Sequence, residues 1–370
     1  MTVIIDMDVS GHEEYAGHQT VVKAYDPASG LVAFIAVHDT TIGPSLGGCR
    51  FWNRYNSEDE ALTDALRLSR GMTYKNALAR LPLGGGKAVI MAKPDAKAPT
   101  QEELKAFGRA VDFLNGEYIT AEDVGVCVED MMVIREVTEH VSGLPSDHDE
   151  ITGGDPSPYT AYGVFLGIQA SVKHKLGKDS LKDVRVAVAG LGHVGMDLCR
   201  RLHEAGAKLI VSDIRSDAMD TAASQYGAKT CKPDDFMALD VDVLAPCALG
   251  GVVNDDTIET IKAPIIAGAA NNQLARSEHG TILHDKGILY APDYVINAGG
   301  VISVAMSGQS VDKTMERLEE LGETLAAIFR QSERLNLPTS VVADKIAEKI
   351  VEEAALENSG DVMQEKKQAS

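Results

Sequence analysis

The stretch VRVAVAGLGHVGMDLCRRLHEAGAKLIVSDI, residues 184–214, decides the fold. An apolar run meets three glycines, an amphipathic segment follows, and a second apolar run ends on an aspartate. This reads as strand, tight turn, helix, strand. Gly190, Gly192 and Gly195 fall as G-x-G-x-x-G at the turn. The first permits the turn, the second lets backbone approach a pyrophosphate, and the third lets helix pack on strand. The helix start offers unpaired N–H groups and a partial positive charge to phosphates. The glycines alone could be no more than a tight turn, but Asp213 stands 23 residues after Gly190. An acid there accepts hydrogen bonds from the adenosine ribose and repels a 2′-phosphate, favouring NAD over NADP. Arg215, two residues on, keeps the NADP alternative open. The dinucleotide set is thus Gly190, Leu191, Gly192, His193, Val194, Gly195 and Asp213, with His193 a solvated helix-start residue rather than a catalyst.

Outward from this unit the chain alternates strands and helices. Upstream, TVVKAYDPASGLVAFIAVHD reads as two strands around the turn DPASG. A helix follows over SEDEALTDALRLSRGMTYKNALAR, where Ser57 and Glu60 have capping-box spacing. Next come the strand KAVIMA, a boxed helix opened by Thr100 and Glu103, and a short strand EYITAE running into a loop. VEDMMVIREVTEHV reads as helix. Residues 142–158, SGLPSDHDEITGGDPSP, break the pattern and mark a crossover between domains. Downstream, VDVLAP, APIIAGAA and YVINAGGVISV read as strands, before two helices near 313–335 and 339–354. The tail from Leu356 is polar and expected to fray. The fold class is α/β with two domains.

Charge and composition exclude several functions. The chain has 370 residues, 55 acidic against 35 basic, and a net charge of -20. Such a field repels nucleic acid and anionic membranes. No apolar run reaches the ~18 residues of a membrane span, and the first residues lack the basic and apolar blocks of a secretion signal. Five scattered cysteines suit neither a disulfide framework nor a metal site, so no metal is expected. They point to free thiols in a reducing cytoplasm.

A second lysine-bearing stretch, RLPLGGGKAVIMA (80–92), resembles a phosphate loop at first sight. It fails on spacing: Leu81 stands where a P-loop needs glycine, and Ala88 where it needs Ser or Thr. Lys75 and Lys87 lie 12 apart, on a helix end and the next strand, and can converge. Two close ammoniums, or partial burial, favour the neutral amine of one and make it a base. The other can stay charged and hold a carboxylate. Asp123 follows a strand and suits proton shuttling, and Gly47–Gly48 let backbone close on a small ligand. The plainer reading is two solvated lysines and a capping aspartate.

The motifs GPSLGGCRFW, GMTYKNALARLPLGGGKAVI, YITAEDVGV, DPSPYTAYGV, GLGHVG, GAANNQL and YAPDYVINAGGVISVA resemble, in order, those of the glutamate, leucine, phenylalanine and valine dehydrogenases. The leucine branch is nearest in pattern, and the match runs from about Val21 to Glu352. The resemblance implies that Lys75 holds the substrate carboxylate, Lys87 is the catalytic lysine and Asp123 exchanges a proton with the substrate nitrogen. Asn297 positions substrate near the nicotinamide, and Thr160 and Asn271 contact the cofactor. Leu46, where glutamate-specific members carry lysine, and the small Ala121 line an apolar side-chain pocket. It also implies a discontinuous catalytic domain, residues 1–146 with 335–370, a dinucleotide domain at 147–334, a cleft between them, and a homo-oligomer. The activity implied is NAD-dependent oxidative deamination of a hydrophobic, branched-chain L-amino acid to its 2-oxo acid and ammonia. A phenylalanine-type or broad enzyme is the alternative, and an NAD-sensing protein without activity would not need Lys75, Lys87 and Asp123 together.

Overall fold

The computed structural model describes residues 1–368, with side-chain environments through 359. The chain forms two compact units. One comprises Met1–Asp155, Val304–Ser310 and the segment from Ile346 on; the other comprises Pro156–Ser303 and Val311–Lys345. The sequence reading put these divisions at 146/147 and 334/335. Residues up to Asp155 stay with the first unit because Ile151 bridges Ser310 and Thr152 exchanges backbone hydrogen bonds with Gly308 and Gln309.

The first unit contains β1 (Val3–Asp6), β2 (Thr20–Asp26), β3 (Leu31–Asp39), β4 (Ser45–Trp52), α1 (Glu58–Leu78), β5 (Gly84–Met91), α2 (Gln101–Phe113), β6 (Tyr118–Glu122) and α3 (Val128–Arg135). Its six strands lie in the order β1-β2-β3-β5-β4-β6. The first four are antiparallel neighbours, while β4 runs parallel to both β5 and β6. Alternate residues feed two cores. Val22, Ile35 and Ile90 pack with Leu104, Phe107 and Ile134 of the second and third helices. Val21, Phe34 and Val89 pack with Leu62 and Leu66 of α1 on the other face. Ser57 caps α1 by accepting from the Glu60 N–H, and α2 carries the full capping box expected at Thr100 and Glu103.

The glycines of LGGGK lie inside β5, not ahead of it as the sequence suggested. A β-carbon on Gly84 would sit 1.9 Å from the Asp39 carbonyl oxygen, and one on Gly85 2.0 Å from the Thr73 nitrogen. They therefore let β3 and α1 approach the strand more closely than any side chain would permit.

The second unit contains α4 (Ser157–Leu176), β7 (Arg185–Ala189), α5 (His193–Glu204), β8 (Lys208–Ser212), α6 (Ser216–Tyr226), β9 (Lys229–Thr230), a 3-10 turn (Pro233–Ala238), β10 (Val243–Pro246), β11 (Ile265–Ile266), α7 (Glu278–Asp285), β12 (Leu289–Tyr290), α8 (Asp293–Ile296), α9 (Gly299–Ala305) up to Ser303, α10 (Val311–Leu335) and the first turns of α11 (Thr339–Gln368), which belongs to the first unit from Ile346 on. Its sheet is wholly parallel in the order β12-β11-β10-β7-β8-β9. Renumbered from its own first strand this is 3-2-1-4-5-6, the doubly wound dinucleotide order, which reverses between β7 and β10.

Two expectations fail locally. YVINAGGVISV is helical, split between α8 and α9, and the sixth strand is Leu289–Tyr290. A short apolar run does not distinguish a strand from a buried helix. The tail expected to fray from Leu356 continues α11 to Gln368, in keeping with its Glu, Gln and Lys content; its last two residues lie outside the described part.

Candidate active site

Three parallel strands bring the first group of residues together. Gly85, Lys87 and Val89 share the face of β5 that α1 covers, since Gly85 abuts Thr73 and Val89 joins the α1 core. Lys87 is only 6% exposed there, so it is no solvated surface charge. On β4 the corresponding face is Leu46, Gly48 and Arg50. Asp123 follows β6 directly, and its Cβ would stand 2.7 Å from any β-carbon on Gly48. Glycine at 48 thus lets Asp123 close over β4 until its Oδ2 lies 2.7 Å from the Lys87 Nζ. Gly47 lets β4 and β5 pinch together, as its β-carbon would fall 1.7 Å from the Gly86 carbonyl oxygen. Tyr118 Oη donates to the Gly47 carbonyl at 2.7 Å.

The partner of Lys87 is therefore an anion, where the sequence suggested a second ammonium. Burial alone would raise the Asp123 carboxyl, but Lys87 and Arg50 outweigh it and bring it to about 2. Next to it, Glu122 is pushed up to about 6 by burial and by the negative charges of Asp155, Glu129 and Asp123. Burial pushes the neighbouring Cys49 thiol up to about 12, which leaves it inert.

Lys75 is half-buried in the last turn of α1. The next residue fixes that turn: buried Asn76 donates from Nδ2 to the carbonyls of Gly84, at 2.6 Å, and Leu46, at 3.3 Å. Leu46 and Ala121 are buried at 2% and 4% exposure, and neither side chain offers a charge. Arg50, Asp64 and Asn76 were missed from sequence. The one available signal was the alternation of β4, which puts Arg50 on the face of Gly48.

The second unit carries the remaining candidates. Gly190 turns the chain at φ +93, with its α-carbon face against Ala248 beyond β10. A β-carbon on Gly195 would lie 1.9 Å from the Gly190 carbonyl oxygen, whereas one on Gly192 would meet nothing within 4 Å. The second glycine therefore leaves open space over the start of α5, which has no side-chain cap. That arrangement fits a dinucleotide pyrophosphate. His193 and Gly192 are exposed, Leu191 is buried and Val194 is half-buried. Asp213 Oδ2 accepts from the Leu191 N–H at 2.6 Å and Oδ1 from the Arg215 N–H at 2.8 Å. These bonds outweigh burial and lower its carboxyl below the usual range. Asp213 thus braces the glycine turn, and Arg215 Nη2 donates to the Leu191 carbonyl at 2.8 Å.

Buried Asn297 ends α8. Its Nδ2 donates to Asn271 Oδ1 at 2.6 Å and to the Ala269 carbonyl at 3.1 Å, while its own Oδ1 has no partner among the described residues. A buried acceptor left unmatched costs about 1–3 kcal/mol, which suits a ligand amide or ammonium. Thr160, in α4, lies against α9: its Oγ1 would be 2.7 Å from a β-carbon on Gly300.

Residues 18–140 match the family model for the Glu/Leu/Phe/Val dehydrogenase dimerisation domain, and residues 211–368 match that for Glutamate/Leucine/Phenylalanine/Valine dehydrogenase. Leucine dehydrogenase of Geobacillus stearothermophilus is 49% identical over 348 residues, covering 94% of each chain. The chain belongs to the Glu/Leu/Phe/Val dehydrogenase family. It is an oxidoreductase by that membership. Among solved structures, L-tryptophan dehydrogenase from Nostoc punctiforme superposes with a TM-score of 0.80 at 43% identity, covering 91% of this chain and 97% of that one. The hetero-hexameric glutamate dehydrogenase from Thermus thermophilus, at 21% identity, shares the fold with a TM-score of 0.71 over 96% of this chain and 88% of that one. Dehydrogenases of this fold thus include oligomers. No helix among the described residues is long and apolar enough to cross a membrane.

Proposed function

We infer that this protein catalyses the reversible, NAD-dependent oxidative deamination of a branched-chain L-amino acid to its 2-oxo acid and ammonia. The observation that carries the reading is the buried Lys87–Asp123 pair, closed over Gly47 and Gly48. In this reading Lys75 holds the substrate carboxylate, and Asn297, through its unmatched Oδ1, orients substrate near the nicotinamide. The dinucleotide, held by residues 190–195, Asp213, Thr160 and Asn271, supplies a hydride acceptor. Loss of hydride from the α-carbon leaves an iminium on the substrate. Once the pair has given up its proton, neutral Lys87 takes a proton from the water that adds to the iminium; that proton passes through Asp123 to the nitrogen, which departs as ammonia while the added hydroxyl returns its proton to Lys87. The contact of 2.7 Å lets the two groups pass a proton between them.

Leu46 and Ala121 support an apolar pocket, because a γ-carboxylate buried beside them would be an unpaired charge costing several kcal/mol. Discrimination among leucine, valine and isoleucine is shallow, since a methylene is worth about 1–3 kcal/mol. A second reading, a bulkier aromatic substrate, is favoured by the 46% identity to the L-tryptophan dehydrogenase of Nostoc punctiforme. The test is kcat/KM for leucine, valine, phenylalanine, tryptophan and glutamate on one preparation. Leucine and valine are expected to lead; an aromatic leader selects the second reading, and a preference for glutamate overturns both. We further propose a homo-oligomer built through the matched dimerisation domain, and a cytoplasmic setting in keeping with five free thiols.

A further inference from the structure

Arg50 stands in the motif GPSLGGCRFW but was given no role above, yet it touches the centre of the proposed chemistry. Its Nε donates to Asp123 Oδ2 at 3.1 Å, the same oxygen that Lys87 Nζ meets at 2.7 Å. Its other end is held: Nη1 donates to Asp64 Oδ2 at 2.8 Å, and Tyr55 Oη donates to that same oxygen. Asp64 comes from α1, so the fork ties that helix to the strand bearing Gly48 and to the loop bearing Asp123. The Arg50 side chain is 19% exposed and lines an open depression of about 510 Å³ together with Trp52, Tyr55 and Arg67.

We propose that Arg50 is a positioning residue that fixes the Asp123 carboxylate beside Lys87 and lets the pair give up its proton during turnover. With Arg50 in place, Asp123 keeps a cationic partner after the pair has lost one positive charge. Without it, the carboxylate is left with Lys87 alone, and the proton is held more tightly between them. Arg50 itself is always charged, and its carboxylate neighbours outweigh burial in favouring that state. The other titratable groups facing Asp123 are Cys49 from β4, and Glu122 and Tyr118 from β6, with Asp64 behind Arg50 on α1. Burial keeps Cys49 and Tyr118 protonated, so neither can replace the guanidinium.

This inference rests on the proposed roles of Lys87 and Asp123. The test is the pH profile of kcat for deamination in Arg50→Met, Arg50→Lys and Asp64→Asn, with saturating NAD and amino acid. In Arg50→Met the rise of kcat with pH is expected to move up by about one unit, so that kcat is ~10-fold low near neutrality and recovers in alkali. Arg50→Lys keeps the charge and restores part of the shift. In an Asp123→Asn background, Arg50→Met causes no further loss, because it acts through the carboxylate. A pH-independent fall, an unmoved profile, or losses that multiply in the double variant would each overturn the proposal. Should Arg50→Met fail to fold, Asp64→Asn carries the test: it removes the anion that offsets the guanidinium, so the rise of kcat is expected to move to lower pH, and an unmoved profile overturns the proposal. Full activity in Lys87→Ala would instead refute the site reading beneath it.

Discussion

Replacing Gly85 by alanine inserts one methyl group between the strand that carries Lys87 and the helix turn that carries Lys75. The new carbon would lie 2.0 Å from the Thr73 nitrogen, 2.2 Å from its Oγ1 and 2.5 Å from its Cα. Ordinary contact begins at 3.4 Å, so α1 or β5 must retreat by about 1.4 Å. Two of the three atoms are backbone, and no rotamer change relieves the clash. Retreat also pulls Asn76 from the carbonyls of Gly84 and Leu46, and Thr73 Oγ1 from His38 Nδ1, 2.8 Å away. Overpacking costs about 1–3 kcal/mol and an unmatched buried amide a similar amount, so roughly 3 kcal/mol is expected in total. For a unit of this size that lowers the melting temperature by roughly 6–12 °C. A misplacement near 1 Å also cuts kcat/KM by ~10²-fold, through the spacing of Lys75 and Lys87. Gly71, in the same helix, is the control. A methyl there meets nothing within 4 Å, and Gly71→Ala should stabilise by about 0.5–1 kcal/mol. The assay is a thermal melt with initial rates by NADH absorbance for both variants. A Gly85→Ala protein with wild-type melting and kcat/KM would refute the claim that close packing sets this site.

Lys87→Ala should lose ~10²-fold or more in kcat with NADH affinity retained, while Lys75→Ala should mainly raise the amino-acid KM; a binding titration beside steady-state rates separates the two. Asp213→Ser should narrow the preference for NADH over NADPH. It should also weaken NADH, because the Leu191 N–H loses its acceptor, and equal wild-type kcat/KM for the two cofactors would show that Arg215 governs the ribose site. Asp123 is held at about 2 against an ordinary 3.8, so its contribution of about 2 kcal/mol is complete above 3.8 and disappears as pH falls through 2. Denaturant melts of wild type and Asp123→Asn should therefore converge between about pH 4 and pH 2; a constant gap would show that the ion pair contributes nothing.

The dinucleotide unit was legible in the sequence because its signals are local. Glycines at fixed spacing, an apolar run on each side and an acid at the second strand's end are each set by neighbours in the chain. The helix starts at Ser57 and Thr100 were legible for the same reason, although only Thr100 forms the full box, since the Glu60 side chain accepts from the Asn56 N–H instead. The lysine strand was not fully so. Nothing local shows that Gly84–Gly86 belong inside β5, since glycine disfavours strands, and only the approach of β3 and α1 explains them there. The apolar YVINAGGVISV likewise became helix through packing. The site shows the same division. Sequence motifs carried Lys75, Lys87 and Asp123 into view, but the charge beside Lys87 was decided by strand order. Placing β4 between β5 and β6 brings Arg50 and Lys87 to one oxygen of Asp123, although Arg50 and Asp123 stand 73 residues apart. Such contacts depend on which strands become neighbours, and a linear pattern does not record that.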